Sequence, residues 1–203
     1  MKNKELSVKL VCFTVTEGKL KVFITSSGLP DTDFMENKTL DDTARRIFQE
    51  YIKLPLSGSY LEQLYTISQD IKGVKHITVV YYMLYPGYKL DNRGESAWKD
   101  AEELSNKTQD FAIINYAIQR LRWKIEYTNI VYSLLPQEFT LSELQSTYET
   151  ILGKSLDKRN FRKKIISLGL LKPSGKLKTG IKARPAQIYE FKSRKPVMVK
   201  VFS

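Results

Sequence analysis

The two side chains that build many catalytic and metal sites are almost absent from this sequence. Its 203 residues include one cysteine, Cys12, and one histidine, His76. These counts exclude a disulfide framework, a zinc cluster of cysteine and histidine, and a catalytic triad that needs both side chains. We therefore expect a protein of a reducing compartment, stabilised by apolar cores and without a cofactor or a metal ion.

Long hydrophobic runs are also missing. The most apolar segment, ITVVYYMLY, covers only residues 77–85, whereas a membrane-spanning helix needs about 20 residues. The first residues include lysines but lack the uninterrupted apolar stretch of a secretory signal. We therefore expect a soluble, cytoplasmic protein without a membrane partner.

Acidic residues are scarce in the last quarter of the chain. Residues 153–203 hold 15 lysines and arginines against only Asp157 and Glu190, which is a net charge of +13. Because the whole chain carries +11, residues 1–152 carry −2. This polarity predicts a near-neutral module fused to a basic one, and a basic module most often binds nucleic acid.

The residues present in the first half predict a mixed α/β domain. Thr39 or Asp41 can begin a helix over LDDTARRIFQEYI, whereas SSGLPDTDFMEN and PGYKLDNRGES have the composition of loops. Alternating patterns predict a turn at Glu17-Gly18 and four strands, in LSVKLVCFTV, KLKVFIT, YLEQLYTIS and HITVVYYML, the last of them central in its sheet.

A helix over about residues 108–127 has the strongest periodic signal of this half. Its apolar residues follow steps of three and four and form a seam that consists of Phe111, Ile114, Ile118, Leu121 and Ile125. Such a seam buries itself against other apolar side chains. It predicts either a core face within the chain or a contact between two copies of it.

A second unit begins after Pro136, a residue that interrupts regular structure. Thr140 and Glu143 have the spacing of a capping box, and Phe139 and Leu144 have that of a hydrophobic staple. These signals predict the beginning of a helix at about residue 141.

The rest of this unit predicts a second helix and a hairpin. The first helix ends at Gly153, and Asp157 can cap a second helix that ends at Gly169. Short apolar ends then flank a basic middle in LLKPSGKLKTGIKARPAQIYEF, a pattern typical of a two-stranded wing. Helix, turn, helix and wing together predict a winged helix-turn-helix.

The second helix separates its apolar residues from its basic ones. At 100° per residue, Phe161, Ile165 and Leu168 fall within about 60° of one another, and an opposite face holds Arg159, Asn160, Arg162 and Lys163. An ordinary solvated face would interleave acids, yet no acid lies between Lys158 and Glu190. The pattern therefore indicates a surface for an anionic partner, and the alternative is a basic surface without a specific partner.

Double-stranded DNA is the predicted partner of this face. Arginine can bridge O6 and N7 of guanine, and asparagine can bridge N6 and N7 of adenine, in the major groove. Single strands fit less well because the face lacks an exposed aromatic platform. The predicted DNA-binding residues are Thr140, Ser142, Lys158, Arg159, Asn160, Arg162, Lys163, Lys176, Lys178, Lys182 and Arg184.

Several segments carry a resemblance to a known family: FTLSELQ, DKRNFRKKI and ARPAQIYEF within residues 120–191, and SGLPD, LDDTARRIFQEYIKLP, YLEQLYTIS and TVVYYMLY before them. They closely resemble the Nudix-related transcriptional regulators, the NrtR-like family. The resemblance implies a homodimeric DNA-binding regulator, with a Nudix-like α/β sandwich for ligand sensing and dimerisation at residues 1–130 and a winged helix-turn-helix at residues 136–203. Family members mostly repress genes of NAD metabolism and respond to ADP-ribose, while related ones control sugar use, including that of arabinose.

The Nudix box of the family's hydrolase relatives is eroded in this sequence. That box reads G-x5-E-x7-R-E-U-x-E-E-x-G-U, and with Arg46 as its arginine it also agrees at Phe48, Glu50 and Leu54. It departs at Thr32, Lys38, Ile47, Tyr51 and Lys53, which stand for two glycines and three glutamates. Because Nudix hydrolysis needs clustered carboxylates that hold Mg²⁺, we expect no enzyme activity.

Three hypotheses remain for the N-terminal domain. It can be a ligand pocket without turnover, in which Arg46 and Glu50 bind a sugar, a sugar phosphate or ADP-ribose, and the erosion of the box favours the sugars. It can be a dimerisation scaffold, with the same two residues as an internal ion pair. The third is a hydrolase of ADP-ribose or related nucleoside diphosphate derivatives, with Glu36, Asp41 or Asp42 as replacement carboxylates.

Overall fold

The computed structural model describes residues 4–90, 97–104, 110–180 and 183–201. The N-terminal part is built around one sheet, whose strands run in the order β4-β5-β1-β2-β6 with β3 paired to β1. Its strands and helices are β1 Lys4–Thr16, β2 Lys19–Phe23, β3 Asp31–Asp33, α1 Leu40–Ile47, β4 Tyr60–Ile71, β5 Val74–Leu84, β6 Trp98–Asp100 and α2 Phe111–Tyr127.

The four predicted strands are confirmed as β1, β2, β4 and β5, and β5 lies inside the sheet as expected. β1 runs parallel to β5 and antiparallel to β2 and β3. Glu17 and Gly18 both adopt positive φ angles, 54° and 71°, as a tight hairpin turn requires. The two strands of three residues, β3 and β6, were not predicted, and β3 lies within a segment that was expected to be a loop.

Thr39, rather than Asp41, begins α1. Its hydroxyl accepts a hydrogen bond from the backbone N–H of Asp42 at 3.1 Å. The Asp42 carboxylate in turn accepts one from the backbone N–H of Thr39 at 3.4 Å and one from the Thr39 hydroxyl at 2.7 Å. This capping box satisfies backbone donors that a helix leaves unpaired at its start. After α1 the helix continues as a π-helical turn over Phe48–Ile52. This helical segment ends at Lys53, whose φ is 59°.

The apolar seam of α2 is a core face of this chain. Ile114, Ile118, Leu121 and Ile125 are buried and Phe111 is half-buried, so the core interpretation is confirmed. The alternative of a dimer contact through this seam is wrong, because the chain itself covers these side chains. The outward face of α2 exposes Tyr116 and Trp123 instead.

The C-terminal part has the predicted winged helix-turn-helix order. A 3₁₀ segment, Ile130–Leu134, leads into it, and its sheet has the order β7-β9-β8. Its strands and helices are β7 Phe139–Thr140, α3 Leu141–Leu152, α4 Lys158–Ser167, β8 Leu171–Gly180 and β9 Ala183–Phe191. Both wing strands, β8 and β9, pair antiparallel.

The predicted helix ends of this unit are also confirmed. Thr140 and Glu143 form the capping box of α3, and Gly153 ends that helix with a φ of 67°. The Asp157 carboxylate accepts the backbone N–H of Asn160 at 2.8 Å and so caps α4. These caps fix the turn between the two helices, and that turn sets the direction in which α4 projects.

The two parts share one apolar core. It runs from one face of the first sheet through the buried side of α2 to the inner sides of α3 and α4, while α1 covers a second core on the opposite face of that sheet. The end of the chain returns to α2, where Val199 and Val201 donate backbone hydrogen bonds to the carbonyls of Tyr127 and Glu126 at 2.9 and 2.8 Å. Among the described residues, no helix is both long and apolar enough to cross a bilayer.

Candidate functional site

The predicted recognition helix, α4, presents the basic face that its sequence indicated. Phe161 and Ile165 are each 4% exposed and anchor the helix in the core. The side chains that point to solvent are those of Lys158, Arg159, Asn160 and Lys163. The separation of anchor and charged face is therefore confirmed, while the role of each residue towards DNA stays a prediction.

Arg162 differs from the four exposed residues of this face because it is half-buried and turned towards α3. Its Nη2 donates a hydrogen bond to the hydroxyl of Ser142 at 3.0 Å. Its Nε is shielded from solvent and lacks a hydrogen-bond partner among the described residues. The side chain thus joins the first turn of α3 to α4.

A cleft lies between the beginning of α3, the first half of α4 and strand β9. The residues that line it are Thr140, Leu141, Ser142, Lys158, Arg162, Pro185, Ala186, Gln187 and Tyr189. Sequence analysis predicted the polar residues of the two helices but missed the four from β9, which belong to the segment ARPAQIYEF that carried part of the family resemblance. Their place in the cleft depends on how the wing folds back, which no local pattern indicates.

Two of the predicted wing cations are paired with acids. Lys176 Nζ lies 2.6 Å from Glu138 Oε1, and Lys178 Nζ lies 2.6 Å from Glu143 Oε1. The neighbouring carboxylate of Glu138 raises the pKa of Lys176. Lys182 and the side chain of Arg184 lie outside the described residues.

The paired acid Glu143 also serves the helix cap, and its charge is stabilised there. Burial favours its neutral form, but hydrogen bonds from Lys178 and Thr140 outweigh burial and hold the pKa of Glu143 below its ordinary value. Thr140 is itself buried, and its hydroxyl makes two hydrogen bonds within this cap, to the carboxylate and from the backbone N–H of Glu143. The phosphate contact of Thr140 stays a prediction, and Ser142, two residues further on in the first turn of α3, is exposed.

In the N-terminal part, Arg46 and Glu50 form an ion pair at 3.3 Å between Nε and Oε1. Arg46 Nη2 also donates to the hydroxyl of Thr32 at 2.7 Å, and Nη1 contacts the sulfur of Met35. These contacts attach α1 to β3 and the turn after it. The geometry agrees with the internal ion pair, and a role of the two residues in ligand binding stays a prediction.

The carboxylates that could replace the lost Nudix ligands are used elsewhere or lie apart. Asp41 accepts a hydrogen bond from the Tyr81 hydroxyl at 2.7 Å, Asp42 caps α1, and Glu36 lies in the turn before the cap. Ile47, at a glutamate position of the box, is fully buried. In the described part of the chain, no group of three or more His, Cys, Asp or Glu side chains could hold a metal ion.

The α/β sheet domain is followed by two capped helices, the second of them basic, and by a wing. This order defines the class of the protein: it is a winged helix protein with a second, sheet-based domain. Comparison with known proteins supports this class. The model of the NrtR DNA-binding winged helix domain matches residues 131–191. The chain is 31% identical to the ADPR responsive transcriptional repressor NtrR of Acinetobacter baylyi, over 92% of this chain and 81% of that protein. The chain therefore belongs to the NrtR family of Nudix-related regulators.

Solved structures agree with this assignment. The structure of Shewanella oneidensis NrtR complexed with a 27mer DNA is similar with a TM-score of 0.77 and 27% identity, over 92% of this chain and 93% of that one. A MutT/nudix family protein from Enterococcus faecalis shares the fold with a TM-score of 0.70 and 22% identity, over 95% of this chain and 89% of that one. The expected combination of a Nudix-like domain and a winged helix-turn-helix is confirmed.

Proposed function

We propose that this protein is a ligand-responsive transcriptional repressor that binds double-stranded operator DNA as a homodimer in the cytoplasm. The observation that carries the proposal is the exposed basic face of α4, which is anchored by Phe161 and Ile165 and has no acidic residue in its own sequence. The DNA complex of the Shewanella oneidensis relative supports the choice of duplex DNA. The domain limits of 1–130 and 136–203 belong to the same proposal.

The effector of the proposed repressor is ADP-ribose or a related metabolite. The Acinetobacter baylyi relative is named as ADPR responsive, which favours ADP-ribose over the sugars that the eroded box favoured. In this proposal the N-terminal domain binds the effector, and Arg46 and Glu50, which form an ion pair, are part of the binding pocket.

The proposed function includes no hydrolysis. The named relative is a repressor, and in this chain the box positions for three glutamates hold Lys38, Ile47 and Tyr51. A hard dication bound to a pyrophosphate needs several carboxylate oxygens, and Glu50 alone supplies too few. Hydrolysis of ADP-ribose is the alternative that the test below addresses.

The DNA-binding claim is tested by the salt dependence of affinity. The full chain should bind a random-sequence duplex with an affinity that falls steeply between about 50 and 200 mM salt, because each neutralised phosphate releases counterions. A duplex selected by the protein from a random library should bind more tightly at every salt concentration. An affinity that does not change with salt would contradict the proposal.

The effector and the absence of hydrolysis are tested together. Purified protein is incubated with ADP-ribose and Mg²⁺, and AMP is measured alongside binding to the selected duplex. We expect weaker DNA binding with ADP-ribose and no AMP above the level of a protein-free sample. Release of AMP would establish the hydrolase alternative, and an unchanged DNA affinity would remove ADP-ribose as the effector.

The homodimer is tested by sedimentation of the free protein and of its complex with the selected duplex. We expect two chains per duplex, bound to half-sites related by two-fold symmetry. One chain per duplex would contradict this part of the proposal and leave DNA binding in place.

A further inference from the structure

The polar residues predicted to meet DNA from α4 divide into two geometrically different groups. Arg159, Asn160 and Lys163 are exposed, and their side chains extend into solvent from the outer face of the helix. Arg162 stands on the same helix but is half-buried and hydrogen-bonded to Ser142 of α3. A side chain that is free in solvent and one that is held by a hydrogen bond cannot contact DNA in the same way.

The tether of Arg162 limits what its guanidinium can read. Recognition of guanine by arginine requires two N–H groups that reach O6 and N7 together. A guanidinium offers such a pair either through Nε with Nη2 or through Nη1 with Nη2. The first pair includes the Nε, which is shielded from solvent. Nη2 has two N–H groups and one of them donates to Ser142, so only the second pair stays free, and the bond to Ser142 fixes its direction. A bidentate contact with guanine is therefore limited to a base that lies in this one direction.

A single anionic oxygen makes smaller demands. It can be bound in the cleft, where the Arg162 guanidinium and the Ser142 hydroxyl are 3.0 Å apart and Lys158 is also a lining residue. The acid in the first turn of α3, Glu143, is already paired with Lys178 of the wing at 2.6 Å, which lowers its repulsion of an anion. Charge-assisted hydrogen bonds to phosphate are among the stronger polar contacts.

We propose that Arg162 and Ser142 form a seat for one phosphate of the DNA backbone and fix the register of α4, whereas Arg159, Asn160 and Lys163 read the bases. This inference rests on the proposed DNA-binding function and makes it more specific. Contacts with phosphate position a protein on the duplex and carry no sequence information, while contacts with base edges carry it.

The test compares two arginines of the same helix, Arg162→Ala and Arg159→Ala. Affinities are measured on the duplex that the wild type selects from a random library and on a random-sequence duplex. Arg162→Ala should weaken both by the same factor, about tenfold, and reduce the slope of log affinity against log salt by about one. Arg159→Ala should weaken the selected duplex more than the random one and relax the preference at one base pair.

Ser142→Ala provides a second, independent variant, because Ser142 is exposed and its replacement removes only the hydroxyl. It should lower affinity for both duplexes equally, by less than Arg162→Ala does, and leave the selected sequence unchanged. Circular dichroism and thermal unfolding confirm that each variant is folded.

Three results would overturn the inference. One is a loss of affinity in Arg162→Ala that is confined to the selected duplex and relaxes one base pair. Another is wild-type affinity for both duplexes in Arg162→Ala and Ser142→Ala, which would leave the proposed function intact. The third is a wild-type protein that does not bind duplex DNA, which would remove the proposed function as well.

Discussion

At the scale of single residues, Asp110 joins three segments of the N-terminal part. Its carboxylate accepts hydrogen bonds from Lys9 Nζ at 2.8 Å and from the backbone N–H of Leu29 at 2.7 Å, and it stands directly before α2. The residue is 5% exposed, and a charge at such a depth must remain paired. The segment around Gly28 therefore has to stay close to it.

We predict that Gly28→Ala strongly destabilises the fold. A Cβ at this position would lie 2.5 Å from Asp110 Oδ2, and the φ of Gly28 is 116°, a conformation that side chains strain to adopt. Displacement of the carboxylate breaks its pair with Lys9, so the free energy of unfolding should fall by about 2–4 kcal/mol. Chemical denaturation monitored by circular dichroism measures this loss.

Gly18→Ala is the matched control for this change. Gly18 also has a positive φ, 71°, but within the described residues an added Cβ would meet no heavy atom closer than 4 Å. Only backbone strain remains, and we expect the free energy of unfolding to fall by about 1 kcal/mol. Equal losses in the two variants would show that the contact with Asp110 does not matter.

A second prediction at this scale concerns Glu62, a half-buried acid on β4. Burial favours its neutral form, yet hydrogen bonds from Tyr60, Lys124 and Tyr82 outweigh burial and lower its pKa. An acid whose pKa is lower in the folded than in the unfolded state stabilises the fold above its unfolded value, about 4.3, and this contribution disappears as the pH falls through the folded value.

Glu62→Gln should therefore lower the free energy of unfolding at pH 7 by about 1–3 kcal/mol, and the difference from wild type should shrink as the pH is lowered below about 4. Urea denaturation of both proteins over this pH range provides the comparison. A difference that stays constant with pH would mean that the charge of Glu62 does not contribute.

At the scale of elements, the wing is attached to the start of the helix-turn-helix by ion pairs. Lys176 of β8 is 2.6 Å from Glu138, which lies just before β7. Both side chains are accessible to water, which competes for the same contacts, and such surface pairs contribute about 0–1 kcal/mol to stability. Their larger effect is on charge, because Glu138 brings a carboxylate next to a surface proposed to face phosphates.

Glu138→Gln should raise the affinity for random-sequence duplex DNA about two- to fivefold at low salt, with little change in stability, because it frees Lys176 and removes a repulsive charge. The control is Glu103→Gln in the N-terminal part, which changes the net charge equally. Lys19, 3.2 Å from Glu103, keeps its ion pair with Asp100 at 2.7 Å. Fluorescence anisotropy with a labelled duplex measures both. The same gain in both variants would indicate an effect of total charge alone.

The elements also show how much of the molecule could be predicted from the sequence. The caps at Thr140 and Asp157 were predictable because their partners lie three residues away. β3 and β6 were not, because each has three residues and is held by pairing with distant strands, β1 and β2. In the candidate site the anchored basic face followed from helical periodicity alone.

Contacts between distant residues explain the rest of what was missed. The pairing of Lys176 with Glu138 spans 38 positions and the hydrogen bond of Arg162 to Ser142 spans 20. Neither leaves a periodic trace in the sequence. The family resemblance located the segment of β9 that lines the cleft without indicating which surface it would meet.

At the scale of the whole molecule, Arg122 of α2 connects the two parts. Its Nε donates to the carbonyl of Ile151, in the last turn of α3, at 2.9 Å. Its Nη2 lies 2.9 Å from Oε1 of Glu102, just after β6. One side chain of α2 thus contacts both the loop after β6 in the sheet domain and the last turn of α3 in the helix-turn-helix.

A response of DNA binding to a ligand in the N-terminal domain requires a free energy of coupling, and coupling needs contacts whose arrangement depends on both sites. We predict that Arg122→Ala keeps DNA affinity without ligand within about threefold of wild type but reduces the effect of ADP-ribose. In wild type we expect a coupling free energy between ADP-ribose and DNA of about 1–3 kcal/mol, and in Arg122→Ala this value should fall by at least half. Anisotropy titrations of the selected duplex with and without ADP-ribose give this value.

Arg120→Ala is the control, since Arg120 lies on the same helix but its ion pair, 3.8 Å long, is with Glu62 inside the N-terminal part. It should leave the response to ADP-ribose at the wild-type level. Glu102→Gln removes one of the two contacts of Arg122 and should give an intermediate response, because the bond to Ile151 remains. If Arg122→Ala and Glu102→Gln both keep the full response, as Arg120→Ala does, coupling passes through the shared apolar core and not through the Arg122 side chain.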